Sequence, residues 1–210
     1  MPRGTLITFE GIEGCGKTTQ LLLLARGLEG RGVDLVTTRE PGGTELGERI
    51  RDLLLDPRLA PSAVDELFLL EAARSHVVAS VVAPALAAGK LVLCDRFSDS
   101  SIAYQAGARG IDREVVERLN AFACAGVVPD RTLVFDIDVD VALARARSRL
   151  STTAANRRFE DEAASFHEAV ARAYRELARR EPHRVVLVDA RGTVEDVQAR
   201  TLAALAGLLP

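Results

Sequence analysis

A three-layer α/β sandwich, with a five-stranded parallel sheet flanked by helices, is the fold class this sequence predicts, and three observations carry it. Five short apolar runs punctuate the chain: Leu6–Phe9, Val33–Thr37, Leu91–Cys94, Thr132–Phe135 and Arg184–Val188. Such runs suit strands buried on both faces. Stretches with helical spacing separate them, and this alternation argues a parallel sheet. Finally, polar clusters fall at the carboxyl ends of the first three runs, where open parallel sheets bind ligands.

The first strand leads into Gly11-Ile12-Glu13-Gly14-Cys15-Gly16-Lys17-Thr18-Thr19, which satisfies the phosphate-loop pattern G-x-x-x-x-G-K-[ST]. Glycines there let backbone N–H groups close around phosphate oxygens. The helix starting near Lys17 aims the positive end of its dipole at the same place. Lys17 is expected to reach the β- and γ-phosphates of a nucleotide, and the Thr18 hydroxyl to sit on Mg²⁺. The second strand ends in Arg39-Glu40-Pro41-Gly42-Gly43 and the third in Asp95-Arg96-Phe97.

Between those strands, Glu45–Leu55 and Ser62–Ala88 have helical spacing. Ser62 is an expected N-cap with Asp65 in a capping-box position. Pro84 should kink or end the regular helix, and Gly89 should stop it. Arg74 sits on an apolar helix among Ala72, Ala73 and Ser75, which fits either a snorkelling surface residue or a site residue. Ser98–Gly110 is polar and contains Ser101, Tyr104 and Gln105, fit to hydrogen-bond a flat heterocycle or else to open a capped helix in a surface loop. Asp112 should cap a helix to Ala125. Val139–Leu150 is helical and rich in arginine (Arg145, Arg147, Arg149), and Ser151–Asn156 has the composition of a mobile loop. The following Arg157 and Arg158 read either as a solvated face paired to nearby acids or as part of a lid over phosphates. Glu160–Glu181 and Val194–Leu209 complete the helices.

The chain has 210 residues, 48% of them hydrophobic, and a formal charge of −3. That length suits one domain, 1–210, with a short mobile lid at about 148–160. The charge argues against a nucleic-acid-coating surface. No uninterrupted apolar run reaches the roughly 18 residues of a membrane span, and Met1-Pro2-Arg3 leads straight into a strand without a signal peptide. Three cysteines (Cys15, Cys94, Cys124) without metal-ligand spacing fit a reducing cytoplasm. Positive potential in the phosphate loop could lower the Cys15 pKa, although Cys15 reads as a small loop residue and not a redox switch.

A phosphate loop serves many chemistries. A GTPase needs N-K-x-D, which is absent, and the D-x-x-G at Asp189–Gly192 follows the last strand, out of position for a switch. No strand ends in the Asp-Glu pair of a ring ATPase. A small kinase remains, in which arginines spread over equatorial oxygens and positioning does most of the work. A non-catalytic nucleotide switch is disfavoured by Lys17, Arg96 and the lid arginines together.

The runs FEGIEGCGKTT (Phe9–Thr19), TREPGGT (Thr38–Thr44), AAR (Ala72–Arg74), DRFSDSSIAYQ (Asp95–Gln105), RGI (Arg109–Ile111), PD (Pro129–Asp130) and RFE (Arg158–Glu160) resemble the bacterial thymidylate kinases over essentially the whole chain. The resemblance implies the P-loop NTPase fold and transfer of the ATP γ-phosphate to dTMP, with Mg²⁺, in a cytoplasmic homodimer. It assigns the deoxyribose 3′-hydroxyl to Glu13 and the dTMP phosphate to Arg51 and Arg96, with Glu40 beside them. Arg74 would donate to thymine O4, Ser101 and Gln105 would face the thymine edge, and Tyr104 would pack beneath the 2′-carbon. Asp95 would orient water around Mg²⁺, and Arg145 would stack on adenine. Gly14 stands where one branch of the family places its catalytic arginine, so the resemblance points to the lid-arginine type, with Arg158 as the transition-state arginine and Arg149 and Arg157 as rivals. Leu70 replaces the phenylalanine that stacks on thymine, an aromatic contact worth roughly 0.5–1.5 kcal/mol. Glu71, Ala106 and Arg157 are further departures. A kinase of another nucleoside monophosphate is the alternative that Leu70 keeps open.

Overall fold

The computed structural model of the chain describes residues 3–149 and 162–209. The sheet has five parallel strands in the order β2-β3-β1-β4-β5: β1 (Thr5–Glu10), β2 (Leu35–Arg39), β3 (Leu91–Asp95), β4 (Arg131–Asp136) and β5 (Val185–Asp189). The central strand β1 is buried on both faces, with Leu6, Ile7 and Phe9 fully enclosed and Phe9 stacked on Phe135. To its sides lie β3 and β4, so the chain crosses over in opposite directions from β1 and leaves a crevice at its carboxyl end. The register sets Phe9 opposite Asp95, and Asp95 opposite Arg39, which brings three strand ends to one level.

Helix α1 (Lys17–Glu29) follows β1, and α2 (Glu45–Leu55) starts at the Thr44 N-cap, whose hydroxyl accepts from Gly47 N. Helix α3 (Ala63–Val77) has the expected Ser62–Asp65 capping box. It then passes through a π-helical turn, Val78–Val82, into α4 (Ala83–Ala87), so the single helix expected over 62–88 is interrupted before Pro84 and not at it. The proline ring would crowd the Ser80 carbonyl in a regular α-helix, and the wider π turn relieves this. Within the helical stretch Ala63–Ala87 an 18-residue window has a mean hydropathy of 1.3, apolar enough by length and composition alone to cross a membrane, a test that the core helix of a globular fold also passes. The inward face of this stretch carries buried Glu66, Glu71 and Arg74 and packs on neighbouring helices.

The 98–110 segment is no surface loop. It forms α5 (Ser98–Ser101) and a second π turn, Ile102–Ala106, with Ser101, Tyr104 and Gln105 all buried. Helix α6 (Arg113–Cys124) starts at Asp112, whose carboxylate accepts from Glu114 N and Val115 N as expected. Helices α7 (Val139–Arg149), α8 (Ala164–Arg180) and α9 (Val194–Ala204) follow, and α9 ends five residues short of its expected limit of Leu209. The start of α8 is pinned by Arg109, which pairs with Glu162 at 2.6 Å and Glu66 at 3.3 Å and lies over the Phe166 ring. Arg157, Arg158 and most of the expected lid lie outside the described residues.

Candidate active site

The phosphate loop closes tightly on the sheet. Gly11, Gly14 and Gly16 have φ of 137°, 78° and 99°, values costly for any other residue. A Cβ on Gly14 would lie 1.9 Å from the Ala142 carbonyl oxygen, whereas one on Gly16 would meet nothing within 4 Å. The loop is thus pressed against α7 on one side and open where α1 begins. Ile12 turns into the core, and Cys15 is buried beneath the loop. Burial pushes the Cys15 thiol up, outweighing the Lys17 charge, which corrects the suggestion of a lowered pKa.

Two cavities flank this loop. One, about 370 Å³, receives Glu13, Glu40, Arg51, Leu70, Arg74, Arg96, Ser101, Tyr104 and Gln105, expected from sequence around the acceptor, together with Lys17, Thr18 and Asp95, expected at the phosphates and Mg²⁺. The other, about 400 Å³, is lined by Gly14, Cys15, Gly16, Thr19 and Arg145 with Ala190, Gly192, Thr193 and Val194. Arg145 reaches the Ala190 carbonyl there at 3.3 Å.

The two ends of the first groove differ in charge. At the loop end, Lys17 and Arg51 form no ion pair among the described residues. Among the described residues Arg51 donates to the Pro41 carbonyl alone, and both burial and the nearby Arg39 guanidinium lower its pKa. Thr18 donates its hydroxyl to Asp95. A hydroxyl and a carboxylate in contact are the hard oxygen donors that suit Mg²⁺. No cluster of three or more His, Cys, Asp or Glu fit to hold a metal occurs among the described residues.

At the far end, Arg74 is 1% exposed and bonded to protein through all three nitrogens. Nε donates to Glu40 at 2.8 Å, Nη1 to Glu71 and Asn120 at 2.6 Å and to Ser101 at 3.0 Å, and Nη2 to the Phe97 carbonyl at 3.2 Å. Burial opposes its charge, but Glu40 and Glu71 outweigh that and keep it cationic. Glu40 thus pairs with Arg74 while lining the same groove as Arg51 and Arg96. Leu70 packs against Ile50, Leu54 and Ala73.

Arg96 lies between the two ends. Its backbone is left-handed (φ 71°), and its N–H donates to the Phe9 carbonyl. The guanidinium donates to Glu13 at 2.7 Å and to the Tyr104 hydroxyl at 3.0 Å, and Tyr104 in turn donates to both Glu13 oxygens at 2.9 Å. Burial resists ionisation of Glu13, yet the Arg96 and Lys17 charges hold its carboxyl well below the usual range.

Sequence reasoning assigned no role to Glu10, Ser100, Tyr174, Asn120 or His167. Glu10, fully buried at the end of β1, accepts from Phe97 N at 2.7 Å, Ser100 at 2.6 Å and Tyr174 at 2.7 Å. A carboxylate ending a central strand beside a phosphate loop was a visible signal. Tyr174 and His167, on α8, carried none.

A parallel sheet, a phosphate loop at its switch point and cations converging on one groove define a phosphate-loop phosphotransferase. Residues 9–201 match the family model described as thymidylate kinase. The thymidylate kinase of Desulfosudis oleivorans is 50% identical over 203 residues, covering 95% of each chain. That of Pelobacter propionicus is 50% identical over 203 residues, covering 95% of this chain and 93% of the other. The crystal structure of thymidylate kinase from Ehrlichia chaffeensis matches with a TM-score of 0.77 at 33% identity, covering 97% of this chain and 99% of that one. The chain belongs to the thymidylate kinase family of ATP-dependent nucleoside monophosphate kinases.

Burial, with the Asp99 charge, raises the Glu10 pKa from 4.5 to about 7. The folded state therefore holds this proton more tightly than the unfolded chain, and stability from Glu10 falls as pH rises from 4.5 to 7, then levels. Replacing Glu10 by Gln removes the titration. The melting temperature of the wild type relative to Glu10→Gln should fall across that window. A constant difference would mean that Glu10 ionises without penalty.

Proposed function

We propose that this chain transfers the γ-phosphate of ATP to dTMP, giving ADP and dTDP, with the phosphate loop holding ATP and Mg²⁺ and the Arg51–Arg74 groove holding dTMP. The observation that carries this reading is the polarity of that groove: unpaired cations at the loop end, and an apolar and amide surface at the other. Arg51 and Arg96 take the acceptor phosphate and Glu13 the sugar 3′-hydroxyl. Of the five N–H bonds of a guanidinium, Arg74 spends all but one Nη2 hydrogen on the protein, leaving that one for thymine O4. Gln105 Oε1 is buried, has no partner among the described residues and suits a base N–H. Bound Mg²⁺ would neutralise charge on the phosphates, with Thr18 and Asp95 as its protein groups. Arg145 and the cavity between the loop and Val194 take adenine.

The lid at about 148–160 supplies the transition-state arginine, for which we assign Arg158 ahead of Arg149 and Arg157. The phosphate loop has no side chain at Gly14 and no room for one. The chain acts as a homodimer through α3 and α6, which pack together and expose Val64, Phe68, Val115 and Phe122 at helical spacing. Three buried free cysteines support a reducing, cytoplasmic setting.

In a coupled ADP assay, dTMP should be turned over well, dUMP much less, and UMP or CMP hardly at all. Turnover of another monophosphate without dTMP would favour the second reading, a kinase of a different acceptor, for which Leu70 is the reason. Arg158→Ala should lower kcat by on the order of 10³-fold or more with a much smaller change in the KM for ATP. A change in KM alone moves the role to another arginine. Phe122→Asp should convert a dimer to a monomer in light scattering, and a monomeric wild type would end the dimer assignment.

A further inference from the structure

His167 stands out among the groups the proposed reaction does not use. It lies in the first turn of α8, directly after the segment taken as the lid, and is wholly buried. Neither ring nitrogen has a hydrogen-bond partner among the described residues. An unsatisfied buried donor is costly, so such a group is normally paired in some state of the protein. Its Nδ1 lies 3.4 Å from Glu13 Oε2, within ion-pair range but without hydrogen-bond geometry. The ring is fixed by an edge-to-face contact with Phe166, on which Arg109 rests.

The other partners of Glu13 explain why this contact matters. Arg96 and Tyr104 already hold the carboxylate from the front. Arg96 is also the group that an acceptor phosphate would engage, drawing its hydrogen bonds away from Glu13. The carboxylate then needs another donor to stay ionised and in place while it accepts from a sugar hydroxyl. With its proton on Nδ1, His167 is that donor after a shift of a few tenths of an ångström.

We propose that His167 is a positioning residue for the acceptor sugar: it holds Glu13 in the geometry that receives the 3′-hydroxyl once Arg96 turns to phosphate. This rests on the assignment of Glu13 to that hydroxyl. It also links the helix that follows the lid segment to the acceptor site.

The test compares kcat/KM for dTMP and for 3′-deoxy-dTMP, which lacks the hydroxyl. His167→Phe keeps the ring's shape and loses Nδ1. It should lower kcat/KM for dTMP by on the order of tenfold while changing that for the deoxy analogue less than about twofold. His167→Asn, whose amide can donate from the place of Nδ1, should restore most of the discrimination. The ratio of the two substrates on one preparation cancels any loss of folded enzyme. Equal losses on both substrates, or no loss, would overturn the proposal while Glu13→Gln still discriminates between them. If Glu13→Gln treats both alike, the assignment of Glu13 fails, and this proposal with it.

Discussion

The joint on which the site depends is a partly buried arginine tied to the central strand and to the Glu13 carboxylate. Arg96 adopts a left-handed backbone that a non-glycine residue keeps only when its surroundings over-determine it. Three contacts do so: its own N–H to the Phe9 carbonyl, the next N–H to Glu10, and the guanidinium to Glu13. Two of these anchors are adjacent in β1, and the third is in the loop that follows it. The central strand thus fixes the phosphate loop and Arg96 in one frame. The parallel register of β1 with β3 transmits that frame directly, because Phe9 faces Asp95. A shift of either strand would separate the cation from its carboxylates.

Such a joint tolerates burial only because its charges are matched, and the same rule separates the two ends of the groove. A buried cation without a partner is costly. Arg74, fully enclosed, is paired with Glu40 and Glu71. Arg51 is more open, and repulsion from the Arg39 guanidinium outweighs the attraction of Glu48 there. That residual repulsion is the electrostatic complement of a ligand bearing several negative charges. Stability favours saturation at the Arg74 end, while anion binding favours vacancy at the phosphate-loop end.

Much of this was legible in the sequence because it is local. The phosphate loop, the Ser62 and Asp112 caps and the five strands are each set by residues within a few positions. The second strand begins two residues later than expected because Val33 N is drawn to the Leu28 carbonyl in the turn after α1, and pairing with β3 starts only at Leu35. What stayed hidden is set by long-range packing. The partners of Arg74 come from β2, α5 and α6 as well as its own helix, and no spacing rule relates Arg74 to Asn120. The burial of 98–110 had the same cause: its polar residues satisfy one another and Glu66, Glu13 and Glu10 instead of water. Polar composition suggested a surface, but satisfied polar groups are as compatible with an interior.

Tyr104 shows what this packing adds to specificity. Its ring meets Phe166 and Tyr174 edge-on at 6.0 and 6.4 Å, with the Arg96 guanidinium 4.9 Å from its centre. Its hydroxyl is tied to Glu13, so neither rotation nor tilt is free. If the acceptor sugar rests on this ring, an added 2′-hydroxyl has to displace carbon that cannot yield. A flexible side chain in the same place would exclude the hydroxyl far less, since it could move aside for a small cost. Discrimination between sugars therefore depends on the rigidity of the aromatic cluster at α8, and that rigidity comes from the same Glu13–Arg96 joint that orders the phosphate end.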